Sequence, residues 1–598
     1  MKSNLLLFLL LSFLQAAAFS QETKDYAWWN PAKNDFPVIE GQAWPKEVKE
    51  PYDRLPARAE KTVRDHVWNL SHNSAGLLIR FMASTAEIVV RFKATGKLEM
   101  PHMPATGVSG VDLYAINSDG GWLWCAGKYS FGDTIQYNFS GLDPNDAYHN
   151  KGREYQLYLP LYNTVSWLEI GVPPGTLFTP LPARMEKPIV VYGTSIAQGG
   201  CASRPGMAWP AILGRKSGRP LVNLGFSGNG RLENELIALM TEIDAKIYVL
   251  DCLPNLVPPG TALEETKKLI IRSVSQLQEK RAAVPILLVE HCGYTDGSIN
   301  ERKRKTFTDI NLIMKQAFAE LQSKGVKNIY LLTMNEINLD LDCTVDGIHA
   351  SDLGMLRYAD AYEKKIRSIL QEPVGIFSTT RPCIQYRDAN TYDWATRHNE
   401  LVTLNKITPP QIVFLGNSIT NYWGGQPEAP HSWGTDSWNE FLQPLGVRNF
   451  GFGWDRIENV LWRVYHEELD GYSAKQIMIM IGTNNLELNS DKEIVEGLKM
   501  LVDAIKKRQP DAGILLIGIL PRRDQEQRIA RLNNDIAKLS AGLHIVYADA
   551  GKFLLKKEGK INESFFSDGL HPNAEGYQKL ALRLKPYLKT PGQNELKN

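Results

Sequence analysis

Little in this 598-residue chain points to a cofactor, a nucleic acid or a membrane interior. The formal net charge is only +1 and the charges are mixed along the chain, so no basic face calls for a nucleic-acid partner. After the first twenty residues no apolar run is long enough to cross a bilayer, so no membrane span is expected. There are six cysteines, of which Cys201, Cys252, Cys292 and Cys343 fall in the middle of the chain. No Cys or His set has metal-ligand spacing, which leaves neither a metal site nor a cofactor to expect. In an oxidising compartment some of these cysteines could pair, but pairing cannot be deduced from sequence.

What is present begins with Met1 to Ser20, which carry one Lys, an apolar run from Leu5 to Leu14 and a small-x-small end at Ala18-Phe19-Ser20. This reads as a secretory signal peptide over residues 1–20, so an exported protein, periplasmic or extracellular, is expected. No cysteine follows the cleavage site, which argues against a lipid anchor. The length suggests roughly three to four domains.

The most informative stretch is Gln411–Asn421, where the apolar run Ile412 to Leu415 is broken by Gly416-Asn417-Ser418. A serine at such a strand-to-helix turn is exposed and can act as a nucleophile. Downstream come Asn449-Phe450-Gly451-Phe452-Gly453, then Ile477–Asn485, then Asp568-Gly569-Leu570-His571. In an open α/β sheet these blocks gather at the carboxyl ends of the strands. His571 can take the Ser418 proton while Asp568 orients the imidazole. The backbone N–H groups of Ser418 and Gly453 and the side-chain amide of Asn484 can hold the developing oxyanion. Because that donor in the second block is a backbone N–H, Trp454 could supply it in place of Gly453.

The pattern occurs twice. An earlier copy reads Ile189 to Ser195, Asn223-Leu224-Gly225-Phe226-Ser227-Gly228, Leu250–Asn255 and Asp346-Gly347-Ile348-His349. The serine-to-histidine spacing is 349 − 195 = 154 here and 571 − 418 = 153 in the second copy. Four blocks rarely recur at such spacing by chance.

In chain order the residues are Ser, Gly, Asn and His, and on these blocks the chain resembles the SGNH (GDSL-type) esterase family. Residues from about Asp393 to Leu588 are similar to the catalytic subunits of platelet-activating-factor acetylhydrolases, through F-L-G-N-S-I-T, N-F-G-F-G-W-D-R-I-E-N-V-L-W-R, I-G-T-N-N and G-I-L-P-R. Asn417 stands where the family usually has Asp, and Trp454 where a second glycine usually follows Gly453. The resemblance implies catalytic Ser195, Asp346 and His349 in one copy and Ser418, Asp568 and His571 in the other, with Gly228, Asn255, Gly453 and Asn484 in the oxyanion holes. Asn255 lies in Asp251-Cys252-Leu253-Pro254-Asn255 rather than Gly-x-Asn, so its loop is expected to take a different path, and a turn-capping role is the bland alternative. The first copy could also be a decayed duplicate that only supports the second.

Ahead of Ser195, short alternating runs (Leu77–Phe81, Glu87–Phe92, Val111–Ile116, Trp122–Cys125, Tyr155–Leu159, Ser166–Val172) separated by turn residues indicate an antiparallel β-sandwich or jelly roll. The segment resembles the N-terminal domain that precedes the catalytic domain in some bacterial SGNH hydrolases. Its Trp122, Trp124, Tyr129 and Phe131 could stack on sugars but are more simply core, and a part in shaping the rim of the first site is equally open. Beyond it, strands alternating with helices call for parallel sheets. The expected organisation is a leader (1–20), a β-sandwich (21–186), a first flavodoxin-like hydrolase domain (187–370), a linker (371–392) and a second such domain (393–598). Charge runs such as Arg302–Lys305 and Lys506–Arg508 read as solvated helix faces.

These readings converge on an exported serine esterase whose substrate is an acylated small molecule or polysaccharide. Acyl-ester hydrolysis follows from the residues; the O-acetyl and carbohydrate parts are what the resemblance implies. A lysophospholipase or thioesterase, or a carbohydrate-binding protein with inactive domains, are the competing readings.

Overall fold

A computed structural model describes residues 24–144, 152–257, 261–387 and 391–588. The leader expected over residues 1–20 lies outside the described residues. Among the described residues no helix is long and apolar enough to cross a membrane.

The N-terminal region is built from two antiparallel sheets. One runs Ala27–Trp29, Val165–Val172, Glu87–Ala94, Ile135–Ser140, Lys128–Ser130. The other runs Phe178–Pro180, Leu78–Ala83, Arg153–Tyr158, Asp112–Ile116, Trp122–Cys125, with Ile39–Glu40 paired to Leu78–Ala83. Alternation puts Val90, Phe92, Ile135 and Phe139 of the first sheet against Ile79, Phe81, Leu113 and Leu157 of the second, in one apolar core. On the outer face of the second sheet alternation places Arg80, Glu154 and Gln156, yet these are buried too. Arg80 donates to Glu154 at 2.9 Å, and the Tyr386 phenol, from beyond the first α/β domain, donates to the same carboxylate. Other parts of the chain therefore cover a face that strand periodicity alone would leave to water.

The four aromatics are not core as a group. Trp122 and Trp124 face the first α/β domain, where the Trp122 indole donates to the Arg215 carbonyl and the Arg204 guanidinium lies 4.4 Å from the Trp124 ring. Trp124 and Tyr129 are more than half exposed, and Phe131 packs at the edge of the sandwich core.

Each hydrolase copy is a five-stranded parallel sheet. The first has the order Leu221–Gly225, Ile189–Gly193, Ile247–Asp251, Ile286–Val289, Ile329–Leu332. The second has the order Val447–Gly451, Ile412–Gly416, Gln476–Met480, Gly513–Ile517, Val546–Ala548. This is the flavodoxin-like order, whose switch point adjoins the strand that leads into each serine. Central strands such as Ile189–Gly193 and Ile412–Gly416 are buried on both faces, because helices cover both sides of a parallel sheet.

The segment read as a linker is pinned rather than loose. Glu372 accepts from Arg219 of the first copy at 2.8 Å and from Arg508 of the second at 2.7 Å, all three being largely buried. Arg508 thus belongs to a domain seam, not to a solvated helix face. Nearby, His466 lies 2.5 Å from Glu186 and stacks on Trp462 with ring centroids 3.6 Å apart. All six cysteines are free, and five of them are buried.

Candidate active sites

Both serines sit two residues beyond a strand end, at the first position of a one-turn helix, Ser195–Gln198 and Ser418–Asn421. Thr194 and Asn417 cap these turns by accepting the N–H of Ile196 and Ile419. Asn417, the departure from the family pattern, therefore still does the capping work of a carboxylate. The neighbouring strand must come very close: a Cβ on Gly225 would lie 2.3 Å from the Gln198 nitrogen, and one on Gly451 2.2 Å from that of Asn421. Asn223 and Asn449 lock the same approach, donating to the Ala197 and Thr420 carbonyls, each at 2.7 Å.

In the first copy Ser195 Oγ is 2.8 Å from His349 Nε2, and His349 Nδ1 is 2.7 Å from Asp346 Oδ2. In the second, Ser418 Oγ is 2.9 Å from His571 Nε2, and His571 Nδ1 is 2.7 Å from Asp568 Oδ2. The other carboxylate oxygen accepts backbone N–H groups, from Ile348 and His349 in one copy and from Leu570 and His571 in the other. Partial burial pushes the Asp346 and Asp568 carboxyls up, but hydrogen bonds from the histidine backbone and imidazole outweigh it and hold both below the ordinary aspartate value. Each carboxylate thus stays ionised beside its imidazole, as a residue that orients a base must.

Strand register decides the oxyanion residues. Gly193 pairs with Gly225 and Gly416 with Gly451. Three residues further on stand Gly228 and Trp454, with φ of 68° and 62°. The equivalent of Gly228 is therefore Trp454, and Gly453 corresponds to Ser227. The carbonyl before each left-handed residue is held by side chains: Ser227 O by Asn229 at 2.8 Å, and Gly453 O by Gln385 at 2.9 Å and Tyr392 at 3.2 Å. Because the peptide is planar and trans, the following N–H, of Gly228 or Trp454, points the opposite way. A non-glycine residue in this region carries a strain on the order of 1–2 kcal/mol.

Asn255 and Asn484 are equivalent as well. Gly193 pairs with Asp251 and Gly416 with Met480, and each asparagine lies four residues beyond, in a short 3₁₀ turn. The different path expected for the Asn255 loop is thus confined to its backbone: Gly482 is left-handed, and no residue from Asp251 to Asn255 is. Both side chains reach the second-block loop, Asn255 accepting from the Gly230 N–H at 3.1 Å and Asn484 donating to the Asp455 carbonyl at 3.0 Å. Each still has an amide N–H beyond the one bond given.

The two sites differ in what surrounds them. In the first, the position of Tyr422 is taken by Gly199, and a Cβ on the next residue, Gly200, would lie 2.9 Å from the Tyr162 hydroxyl and 3.3 Å from His349 Cδ2. Tyr162 belongs to the N-terminal region and donates to the Ser195 carbonyl, and His102 of that region lies 6.1 Å from the His349 ring. In the second site the surroundings come from its own domain: Tyr422 lies 5.3 Å and Trp433 5.6 Å from the His571 ring, and 5.2 Å from each other. Sequence reasoning missed Tyr162, His102 and Trp433, which reach a site from another stretch of chain that no local motif marks, and Tyr422, which caps the Ser418 helix just beyond the motif. Two cavities, of about 500 and 420 Å³, lie at the linker and at the seam between domains, and no catalytic candidate lines either.

A flavodoxin-like sheet carrying this constellation defines an ester hydrolase of the GDSL/SGNH class. Residues 186–367 and 414–579 each match a GDSL-like Lipase/Acylhydrolase family, and residues 26–178 match the N-terminus of Esterase_SGNH_hydro-type. The chain belongs to the GDSL-like lipase/acylhydrolase family. It is 31% identical over 194 residues to platelet-activating factor acetylhydrolase IB subunit alpha2 of Homo sapiens, covering 31% of this chain and 80% of that one. It is 28% identical over 200 residues to the alpha1 subunit of the same species, covering 33% of this chain and 82% of that one. Among solved structures, a GDSL-like lipase from Bacteroides ovatus superposes with a TM-score of 0.53 at 30% identity, covering 58% of this chain and 98% of that chain.

Proposed function

We propose that the chain is an exported serine esterase with two working sites that removes short acyl groups, most simply O-acetyl groups, from carbohydrate. The observation that carries this reading is the completeness of both serine–histidine–aspartate relays, at 2.7–2.9 Å throughout. In each site the serine Oγ attacks the ester carbonyl as the histidine Nε2 takes its proton. The oxyanion is received by the backbone N–H of Gly228 or Trp454 and by the amide of Asn255 or Asn484. The alcohol leaves with the histidine's proton, and water then releases the acyl group from the serine by the same route.

A short acyl group is supported by the relatives named as acetylhydrolases. Carbohydrate as the alcohol is supported by the aromatic rings beside His571. The proposed organisation is a leader over 1–20, a sandwich over 21–186, hydrolase domains over 187–370 and 393–598, and a connecting segment over 371–392. The test is hydrolysis of para-nitrophenyl acetate and a panel of acetylated glycans by the wild type, Ser195→Ala, Ser418→Ala and the double variant. Each single variant should lose one component by about 10⁴-fold or more, and the double variant should lose both. An unchanged profile for Ser195→Ala, with complete loss for Ser418→Ala, would reduce the first copy to a support domain.

A further inference from the structure

We propose that Arg523 is a positioning residue of the second triad, clamping the loop that carries Asp568 and His571. The inference rests on the reading of Ser418 as an esterase nucleophile. Between the two triad members stands Gly569, left-handed with φ of 84°, and its carbonyl accepts the Arg523 N–H at 2.9 Å. The Arg523 side chain then lies against the same glycine, where a Cβ would fall 2.5 Å from the guanidinium carbon. That guanidinium ends in a two-pronged pair with Glu563, Nε donating to Oε1 at 2.9 Å and Nη2 to Oε2 at 2.8 Å. One residue therefore holds the triad loop at two points.

The first copy makes the same hold with different chemistry. Leu288 and Leu516 are equivalent by register, since they pair with Leu250 and Ile479, which in turn pair with Tyr192 and Leu415, each three residues before its serine. Arg523 lies 523 − 516 = 7 residues beyond, and its counterpart at 295 − 288 = 7 is Thr295. Thr295 donates its N–H to the Gly347 carbonyl at 3.0 Å, and Gly347 stands between Asp346 and His349 with φ of 93°. Its hydroxyl lies 2.8 Å from that of Thr344, two residues ahead of Asp346. Threonine and arginine have little in common, yet each ties backbone and side chain to the loop of its own triad.

The side chains of Arg523 and Glu563 are about half exposed, and an exposed ion pair contributes little to stability. The value of this pair is geometric. A planar guanidinium fork on a carboxylate fixes direction as well as distance, which a lysine ammonium does not. The Glu563 hydrogen bonds and charge raise Arg523 above the ordinary arginine value, and the Asp568 carboxylate adds to this, which links the clamp to the triad itself. If the loop shifts, the His571 imidazole shifts with it relative to Ser418 Oγ, and displacements of about 1 Å can cost on the order of 10²-fold in rate.

The experiment compares Arg523→Ala, Arg523→Lys and Glu563→Ala in the Ser195→Ala protein, with para-nitrophenyl acetate as substrate. Arg523→Ala should lower kcat about tenfold with KM within about twofold and the thermal midpoint nearly unchanged, and Arg523→Lys should recover only part of the loss. Glu563→Ala should match Arg523→Ala, and the double variant should be no slower than either, because the pair acts as one unit. A kcat within about twofold of the parent, or losses that add in the double variant, would overturn the proposal. A fluorophosphonate should still label one serine per chain in Arg523→Ala, about tenfold more slowly, whereas fewer labelled chains would mean lost folding and overturn the positioning role. In the Ser195→Ala/Ser418→Ala protein, which reads the loop without chemistry, Arg523→Ala should speed amide hydrogen exchange over residues 563–573 about tenfold, and unchanged exchange overturns the clamp. Absence of turnover by the Ser195→Ala parent would count against the Ser418 reading instead, and the exchange comparison would still decide the role of Arg523.

Discussion

The phenol of Tyr162 donates to the backbone carbonyl of Ser195 at 3.2 Å, which makes the N-terminal region a structural part of the first site. Arg54 strengthens the tie, donating to the Asn223 carbonyl at 3.1 Å and to that of Gly225 at 2.7 Å. Removing the phenol should let the Ser195 turn drift. Tyr162→Ala is expected to cost Ser195-dependent turnover roughly 10- to 10²-fold while sparing the component that depends on Ser418. Equal loss of both components, measured in the two single serine backgrounds, would refute a local role.

Asn255 and Asn484 occupy one register position in the two copies, and each keeps an amide N–H beyond its contact with the second-block loop. Asn484→Ala and Asn255→Ala should each lower kcat of their own site by roughly 10²–10³, about 2.7–4 kcal/mol, with little change in KM. A nearly unchanged kcat for Asn255→Ala on a Ser418→Ala background would leave Asn255 as a turn cap.

Much of this was legible in the sequence, because the reacting groups sit in short blocks whose spacing repeats. Parallel sheets flanked by helices such as Leu263–Arg281 and Glu301–Ser323 followed from the alternation of strands with helices. What escaped were long-range effects. Short edge strands such as Ala27–Trp29 and Lys128–Ser130 have too few residues to show alternation. The burial of Glu154 and Arg508 depends on a partner from a distant part of the chain. The sequence left the second-block donor between Gly453 and Trp454, and only strand register separates the two.

Behind the first site, Asp251 is almost fully buried and accepts one hydrogen bond, from the Tyr362 hydroxyl at 2.9 Å. Desolvation pushes its carboxyl up to about 6, against the Tyr362 bond, which lowers it. The folded state then binds this proton more tightly than the unfolded state does. The stability it contributes is complete below the ordinary aspartate range and is lost as pH rises through about 6, a difference on the order of 3 kcal/mol. Asp251→Asn should therefore gain stability relative to wild type between pH 4 and pH 7. Urea denaturation at both pH values checks this, and a gain that is the same at each would contradict it.

Glu372 joins two buried guanidinium groups from different domains. Glu372→Leu leaves Arg219 and Arg508 without it, and should destabilise the seam by about 3–5 kcal/mol. The two hydrolase domains should then unfold in separate steps. A single transition at an unchanged midpoint would show that the seam does not depend on this carboxylate.

The central claim is that one chain carries two activated serines, and labelling with a fluorophosphonate tests it most directly. Intact-mass analysis of the wild type should show two adducts, with peptide mapping placing one on Ser195 and one on Ser418. His349→Ala should abolish the first and His571→Ala the second. A single adduct that disappears with His571→Ala and is untouched by His349→Ala would contradict the account.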